Sequence, residues 1–272
     1  ELFIESFFKP VNNWCNEHGL LLCGHGIAEE NPLSSSAGLN VFNLQKYVGI
    51  PGFDHITINI PDGKKVKSLN LGGKLVASAA EQLGEHRVQS ECFGCTPYNF
   101  GHDGMKKNLH WLYSLGVNWL VPHGFHYSYD GRRKDDAGKS FFFQSPDYND
   151  FHKFGNYAAR LGYLLGESRS CTRLCVLFPE KTFRRLLPAE SSFALVKREE
   201  LYNCIQFLID KQIQFNLTDE MSLENASIGE GSFKCGNCTY DSVLLPFDLE
   251  NDCLQKLAKN NIKVLSLTKD TE

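Results

Sequence analysis

The chain has no surplus of basic residues: its 28 Lys and Arg are outnumbered by 32 Asp and Glu, a formal charge of −4. Following a phosphate backbone needs clustered cations in excess, so a nucleic-acid partner is not expected. No apolar run approaches the roughly 18 residues of a membrane helix, and no membrane partner is expected either. Prolines number only 10, while 42% of residues are hydrophobic and 12% aromatic, a composition that argues against disorder. The first ten residues lack a basic n-region and a small-residue cleavage site, which predicts no signal peptide and a cytoplasmic location. Nucleotide-binding frames are missing too. Gly72-Gly73 does not follow a strand in a G-x-G-x-x-G frame, and neither a P-loop nor a G-x-S-x-G elbow occurs.

Cysteine is present but sparse for a disulfide framework, at 10 in 272 residues. Six of these (Cys15, Cys23, Cys171, Cys175, Cys204 and Cys253) lie in apolar periodic stretches, where the thiol acts as a small hydrophobe. The pairs Cys92/Cys95 and Cys235/Cys238 are C-x-x-C. A zinc ribbon places its two pairs about 15–20 residues apart, and these are far more distant in sequence, so both pairs read as structural and no metal site is expected from them. A reducing compartment is the simpler inference.

What the sequence does contain is a repeated order of helix, short apolar strand and polar loop. Residues 1–19 place Phe3, Phe7, Phe8, Val11, Trp14 and Cys15 at helical spacing and close on His18-Gly19, before the apolar run Leu20-Leu-Leu-Cys23. Further strands are predicted at 53–58, 87–91 and 117–122, the last two each preceded by a helix that stops at Gly84 or Gly116. Such alternation indicates a parallel sheet sheathed by helices. A full eightfold barrel takes about 250 residues, and only four strands precede residue 153. The barrel reading therefore expects an upstream half outside this sequence. After a helix near 150–165 the register changes, with strands predicted at 174–178, 213–217, 242–246 and 262–267. Helices are predicted at 198–211 and 249–259, and a hairpin at 226–239. The expected organisation is residues 1–169 as a partial (β/α) barrel and 170–272 as a second α/β domain.

The polar residues fall just after the strands, where barrels of this kind hold their active sites. Gly24-His25-Gly26 leads into Glu29-Glu30, and an apolar strand ends directly in Ser90-Glu91. Taken alone, the first is a solvated loop or a site. An ionised carboxylate at a strand end, by contrast, generally has a partner or a task. Two carboxylates on neighbouring strand ends are the minimum for glycoside hydrolysis, one donating a proton and the other activating water or attacking. His123 and His126 can be metal ligands, structural groups or donors to sugar hydroxyls. Phe93, Tyr98, Phe100, Phe125, Tyr127 and Tyr129 either stack on a sugar face or fill a core.

These strand-end motifs resemble a known family. Gly24-His25-x-x-x-Glu29-Glu30, Ser90-Glu91-x-Phe93-Gly94-Cys95, Gly116-Val-Asn118 and Pro122-His123-x-Phe125-His126-Tyr127-Ser128 are similar to motifs of the family 106 α-L-rhamnosidases and their relatives. Arg160-Leu-x-Tyr163-Leu-Leu165 continues the likeness. Phe215-Asn-Leu-Thr-Asp-Glu220 and Tyr240-Asp241-x-Val243-Leu-Leu-Pro246 resemble the flavodoxin-like domain that follows the barrel there, a relative of the β-galactosidase middle domain. The resemblance implies the C-terminal half of a (β/α)8 TIM-type barrel followed by a flavodoxin-like α/β domain, in a bacterial enzyme acting on plant or microbial oligosaccharides. It implies Glu29 or Glu30 as proton donor and Glu91 as the second catalytic carboxylate; the residues expected to bind substrate, from their place in the strand-end loops, are His25, Phe93, His123, His126 and Tyr127. It also implies inversion, an association with calcium, and subunit contact through the second domain. The alternative reading is a non-catalytic carbohydrate-binding or oligomerisation module derived from such an enzyme.

Overall fold

In the computed structural model, residues 2–26, 31–33, 40–55, 71–134, 138–186 and 192–267 are described, and every structural statement concerns these. The chain begins with a π-helical turn, Ile4–Phe8, that runs straight into α1 (Lys9–Glu17). A short helix α2 (Val41–Gln45) follows, its first turn closed by the Asn40 side chain accepting from the Asn43 N–H at 2.6 Å. Next come β1 (Gly52–His55), α3 (Gly72–Leu83), β2 (Gln89–Cys92), α4 (His102–Ser114), β3 (Trp119–Pro122) and α5 (Phe151–Gly166). The strands pair in parallel in the order β1-β2-β3. Gly84 ends α3 in the left-handed conformation (φ 84°), as its position after an Ala-rich apolar run predicts.

Sequence alternation gives this sheet two unlike faces. Phe53, His55, Ser90 and Cys92 point to one side and are buried, at most 2% exposed. Asp54, Glu91, Trp119 and Val121 point to the other, where Trp119 and Val121 are 43% and 42% exposed. The helices lie on the first side. Gly72 lets α3 begin directly on the Phe53 ring, where an added Cβ would stand 2.4 Å from Cδ2. Gly162 lets α5 approach β3, where a Cβ would meet the Asn118 carbonyl oxygen at 2.4 Å.

The second part contains β4 (Leu174–Phe178), α6 (Glu180–Leu186), α7 (Ser192–Asp210), β5 (Asn216–Asp219), α8 (Glu220–Glu224), β6 (Ser227–Gly229), β7 (Ser232–Cys235), β8 (Cys238–Tyr240), β9 (Ser242–Leu245), α9 (Asp252–Lys259) and β10 (Lys263–Ser266). A parallel sheet runs β10-β9-β4-β5, and β6-β7-β8 form an antiparallel meander rather than the expected single hairpin. The two parallel sheets are not hydrogen-bonded to each other strand to strand. They meet through α3. Ser78 Oγ accepts from Leu217 N–H at 2.9 Å, and Gln82 Nε2 donates to the Leu217 carbonyl at 2.9 Å. These residues, one turn apart on α3, satisfy the free edge of β5, which would otherwise present unpaired backbone. One buried apolar cluster accordingly runs from Leu33 through Phe53, Leu75, Leu109, Val176 and Leu217 to Phe247.

One predicted strand is corrected. Leu20–Cys23 forms no strand. Only Cys23 bridges, in parallel, to Ile50, and Leu20 and Leu21 are 52% and 59% exposed. An apolar run becomes a buried strand when neighbours cover both of its faces, and among the described residues that cover is missing here. No helix among the described residues is long and apolar enough to cross a membrane.

Candidate active site

Four successive segments end side by side. The Cys23 bridge delivers His25, β1 delivers Asp54, β2 delivers Glu91, and β3 leads into His123. Asp54 and Glu91 occupy paired register positions, so their side chains stand on the same face of the sheet, the one opposite the helices. A ring nitrogen of His25, an oxygen of Asp54 and an oxygen of Glu91 all lie within 4.8 Å of one another. His25 Nε2 is 3.0 Å from Glu91 Oε2, and His25 Nδ1 is 2.6 Å from the Gly26 carbonyl oxygen. All three side chains are part-buried.

The electrostatics follow from this crowding. Burial pushes the Asp54 carboxyl above the usual carboxylate range, and the charge of Glu91 beside it adds to the rise, while His25 and His123 oppose it. Behind the site, burial pushes the Cys92 thiol up, again helped by Glu91. Cys92 is thus an inert core group, as the structural reading of its C-x-x-C pair expects, and all ten cysteines are free thiols.

Beyond β3 the loop carrying His123, Phe125, His126 and Tyr127 is held by the segment 138–145. The His126 N–H donates to Ser140 Oγ at 3.1 Å, Gln144 Nε2 donates to the His126 carbonyl at 2.8 Å, and the Phe141 N–H donates to the Gly124 carbonyl at 2.9 Å. The His123–Gly124 peptide is cis. The His123 and His126 rings meet edge to face, 6.1 Å between centroids. Tyr127 is 84% exposed, with Tyr98 and Phe143 also standing out at the surface.

Of the residues singled out from sequence, the structure gathers His25 and Glu91, with His123 on the next strand end and His126 and Tyr127 beyond it. Glu29 and Glu30 lie outside the described residues. Phe93 is corrected: it is fully buried, packed against Phe100, Phe141 and Phe154, and has no ring face to offer a sugar. Its left-handed backbone (φ 68°) turns the side chain from the strand end into the core. Sequence reasoning missed Asp54. The available signal was a carboxylate inside an otherwise apolar strand, Gly52-Phe-Asp-His55, of the same kind that marked Glu91.

Calcium, implied by the family resemblance, takes about six to eight oxygen ligands. The cluster here supplies two carboxylates and one imidazole whose nitrogens already face Glu91 and Gly26. No other group of three His, Cys, Asp or Glu ligands gathers among the described residues. These residues do not fit calcium.

Comparison with family models and with curated proteins finds no match. Solved structures do match. The rhamnosidase from Novosphingobium sp. PP1Y superposes with a TM-score of 0.64 at 17% identity, over 92% of this chain and 23% of that one. Gan42B, a GH42 β-galactosidase, gives 0.60 at 11% identity, over 94% and 37%. The β-galactosidase of the psychrophilic Marinomonas ef1 gives 0.52 at 12% identity, over 96% and 42%. The fold is glycoside-hydrolase-like. These neighbours are TIM-barrel glycoside hydrolases, and this chain spans less than half the length of each.

Proposed function

We propose that this chain is part of a glycoside hydrolase, α-L-rhamnosidase-like, in which the sheet β1-β2-β3 belongs to a (β/α)8 barrel and the strands after residue 170 form a flavodoxin-like domain. The observation that carries the reading is the convergence of His25, Asp54 and Glu91 at the ends of parallel strands, on the face of the sheet opposite α3. That face corresponds to a barrel interior. Trp119 and Val121 share that face, and in this reading they belong to the barrel's interior layers.

In this reading Glu91 is the carboxylate that activates water or attacks the anomeric carbon. Glu29 or Glu30 gives its proton to the leaving oxygen, so the glycosidic C–O bond breaks as the new C–O bond forms. His123, His126 and Tyr127 line the approach for the sugar hydroxyls and ring face. The test is a survey of aryl glycosides, aryl α-L-rhamnosides included, with the longer protein that contains this chain. Hydrolysis of at least one supports the proposal. Saturable sugar binding without turnover favours the carbohydrate-binding module instead.

A further inference from the structure

The hydrogen bonds of His25 fix where its protons are. A carbonyl oxygen only accepts, so the Nδ1 atom, 2.6 Å from the Gly26 oxygen, carries a hydrogen. The opposite nitrogen, Nε2, stands 3.0 Å from Glu91 Oε2, a contact that needs a proton of its own between the two atoms. A neutral imidazole cannot supply both. The second proton is either on the ring, as imidazolium, or on the Glu91 carboxyl. The neighbourhood favours the ring, because Asp54 presents a second carboxylate within 4.8 Å of the first two groups. A cation between two carboxylates relieves their repulsion, whereas a neutral ring leaves them facing each other. Among the described residues, the titratable groups that act on this cluster include Asp54 from β1, Glu91 from β2 and His123 beyond β3, the last two acting on Asp54, and the Cys92 thiol on the far side of the sheet feels Glu91 and Asp54.

The geometry points to His25 as a positioning residue: an imidazolium that clamps Glu91 Oε2, with Asp54 as its second counter-charge, and leaves Glu91 Oε1 to act on the substrate side. Among the described residues no hydrogen bond reaches Glu91 Oε1. In this proposal His25 holds Glu91 rather than the sugar hydroxyls expected from the sequence, because its two ring nitrogens face the Gly26 carbonyl and Glu91. It rests on the glycosidase reading only for its consequence in catalysis. The clamp itself is a property of this chain.

Two measurements test it separately. In nitrogen-15 NMR of the histidine-labelled chain at pH 7, both ring nitrogens of His25 carry hydrogen. In Glu91→Gln the ring becomes neutral with its hydrogen on Nδ1. A neutral His25 in the unsubstituted chain, or a ring unmoved by Glu91→Gln, overturns the clamp whatever the enzyme does. In the longer protein, on a hydrolysed aryl glycoside, His25→Phe lowers kcat about 10²-fold with KM nearly unchanged, the cost of a displaced catalytic group. A raised KM with kcat intact makes His25 a sugar ligand and overturns the proposal. Absence of hydrolysis by the unsubstituted longer protein counts against the glycosidase reading and leaves the NMR result to decide the clamp.

Discussion

Glu180, the first residue of α6, has its carboxyl nearly enclosed where the two parts of the chain meet. Oε2 accepts from Asn40 Nδ2 and Oε1 from Arg184 Nε at 2.9 Å, while the same Asn40 amide donates to Asp219 Oδ2 at 2.7 Å. Burial dominates, pushing the Glu180 carboxyl up from 4.5 to about 7. Arg184 opposes the rise, and the charges of Asp219 and Glu220 add to it. A carboxyl whose proton is held more tightly in the folded state stabilises that state fully below its unfolded value. That contribution is lost as pH rises through the folded value. Glu180 therefore contributes about 3 kcal/mol at pH 4.5 that is gone above pH 7 to 8. Denaturant melts of the unsubstituted chain and of Glu180→Gln across this window should converge in slope only if the account fails. The expected result is a flatter pH dependence for the glutamine variant. None of this was legible in sequence, because Asn40, Glu180 and Asp219 are distant from one another and belong to no periodic pattern. Glu91 was legible because an apolar strand ends in it. Asp54 is the same signal one strand earlier, harder to see because it lies inside its run, between Phe53 and His55, rather than at its end.

At the scale of elements, an apolar run becomes a strand where neighbours cover it: Leu174–Phe178 is β4, buried within its sheet, whereas Leu20–Cys23 forms no strand and the run predicted at 213–217 pairs only from Asn216, as β5 (Asn216–Asp219). Short helices such as α2, α6 and α8 escaped because five to seven residues carry too little periodicity. The role of α3 was also beyond reach. Its Ala-rich face reads as ordinary packing, yet Gln82 works as a surrogate strand for β5 and its backbone carbonyl accepts from the Asn237 N–H at 2.8 Å. Gln82→Ala leaves the buried Leu217 carbonyl without the side-chain donor that α3 supplies. We expect a loss of about 1–3 kcal/mol, read as a lower denaturation midpoint with the m-value unchanged. A change within 0.3 kcal/mol, on the order of measurement scatter for such midpoints, shows that water replaces the amide.

For the whole molecule, the change in register predicts a division at residue 169, and among the described residues β1-β2-β3 and β10-β9-β4-β5 are separate sheets. The buried cluster, however, continues across that point, from Leu33 to Phe247. We expect the two parts to unfold together. The three tryptophans, Trp14, Trp111 and Trp119, all report on the first part. The buried thiols Cys175, Cys204 and Cys235 report on the second. Loss of tryptophan signal and labelling of Cys175, Cys204 and Cys235, followed thiol by thiol because the exposed Cys23, Cys95 and Cys171 label in the folded chain, should share one denaturant midpoint, and separate midpoints would mean that the α3 seam carries little of the coupling.

The most direct test of the proposed chemistry is the turnover of Glu91→Gln in the longer protein, on the aryl glycoside it hydrolyses best. Glutamine keeps the volume and a hydrogen-bond partner for His25 Nε2 but cannot serve as an ionised base or nucleophile. The account predicts that kcat falls about 10²–10⁴-fold, the range for loss of general-base assistance, with the fold intact by circular dichroism. Turnover within a few-fold of the unsubstituted protein on every substrate would contradict it.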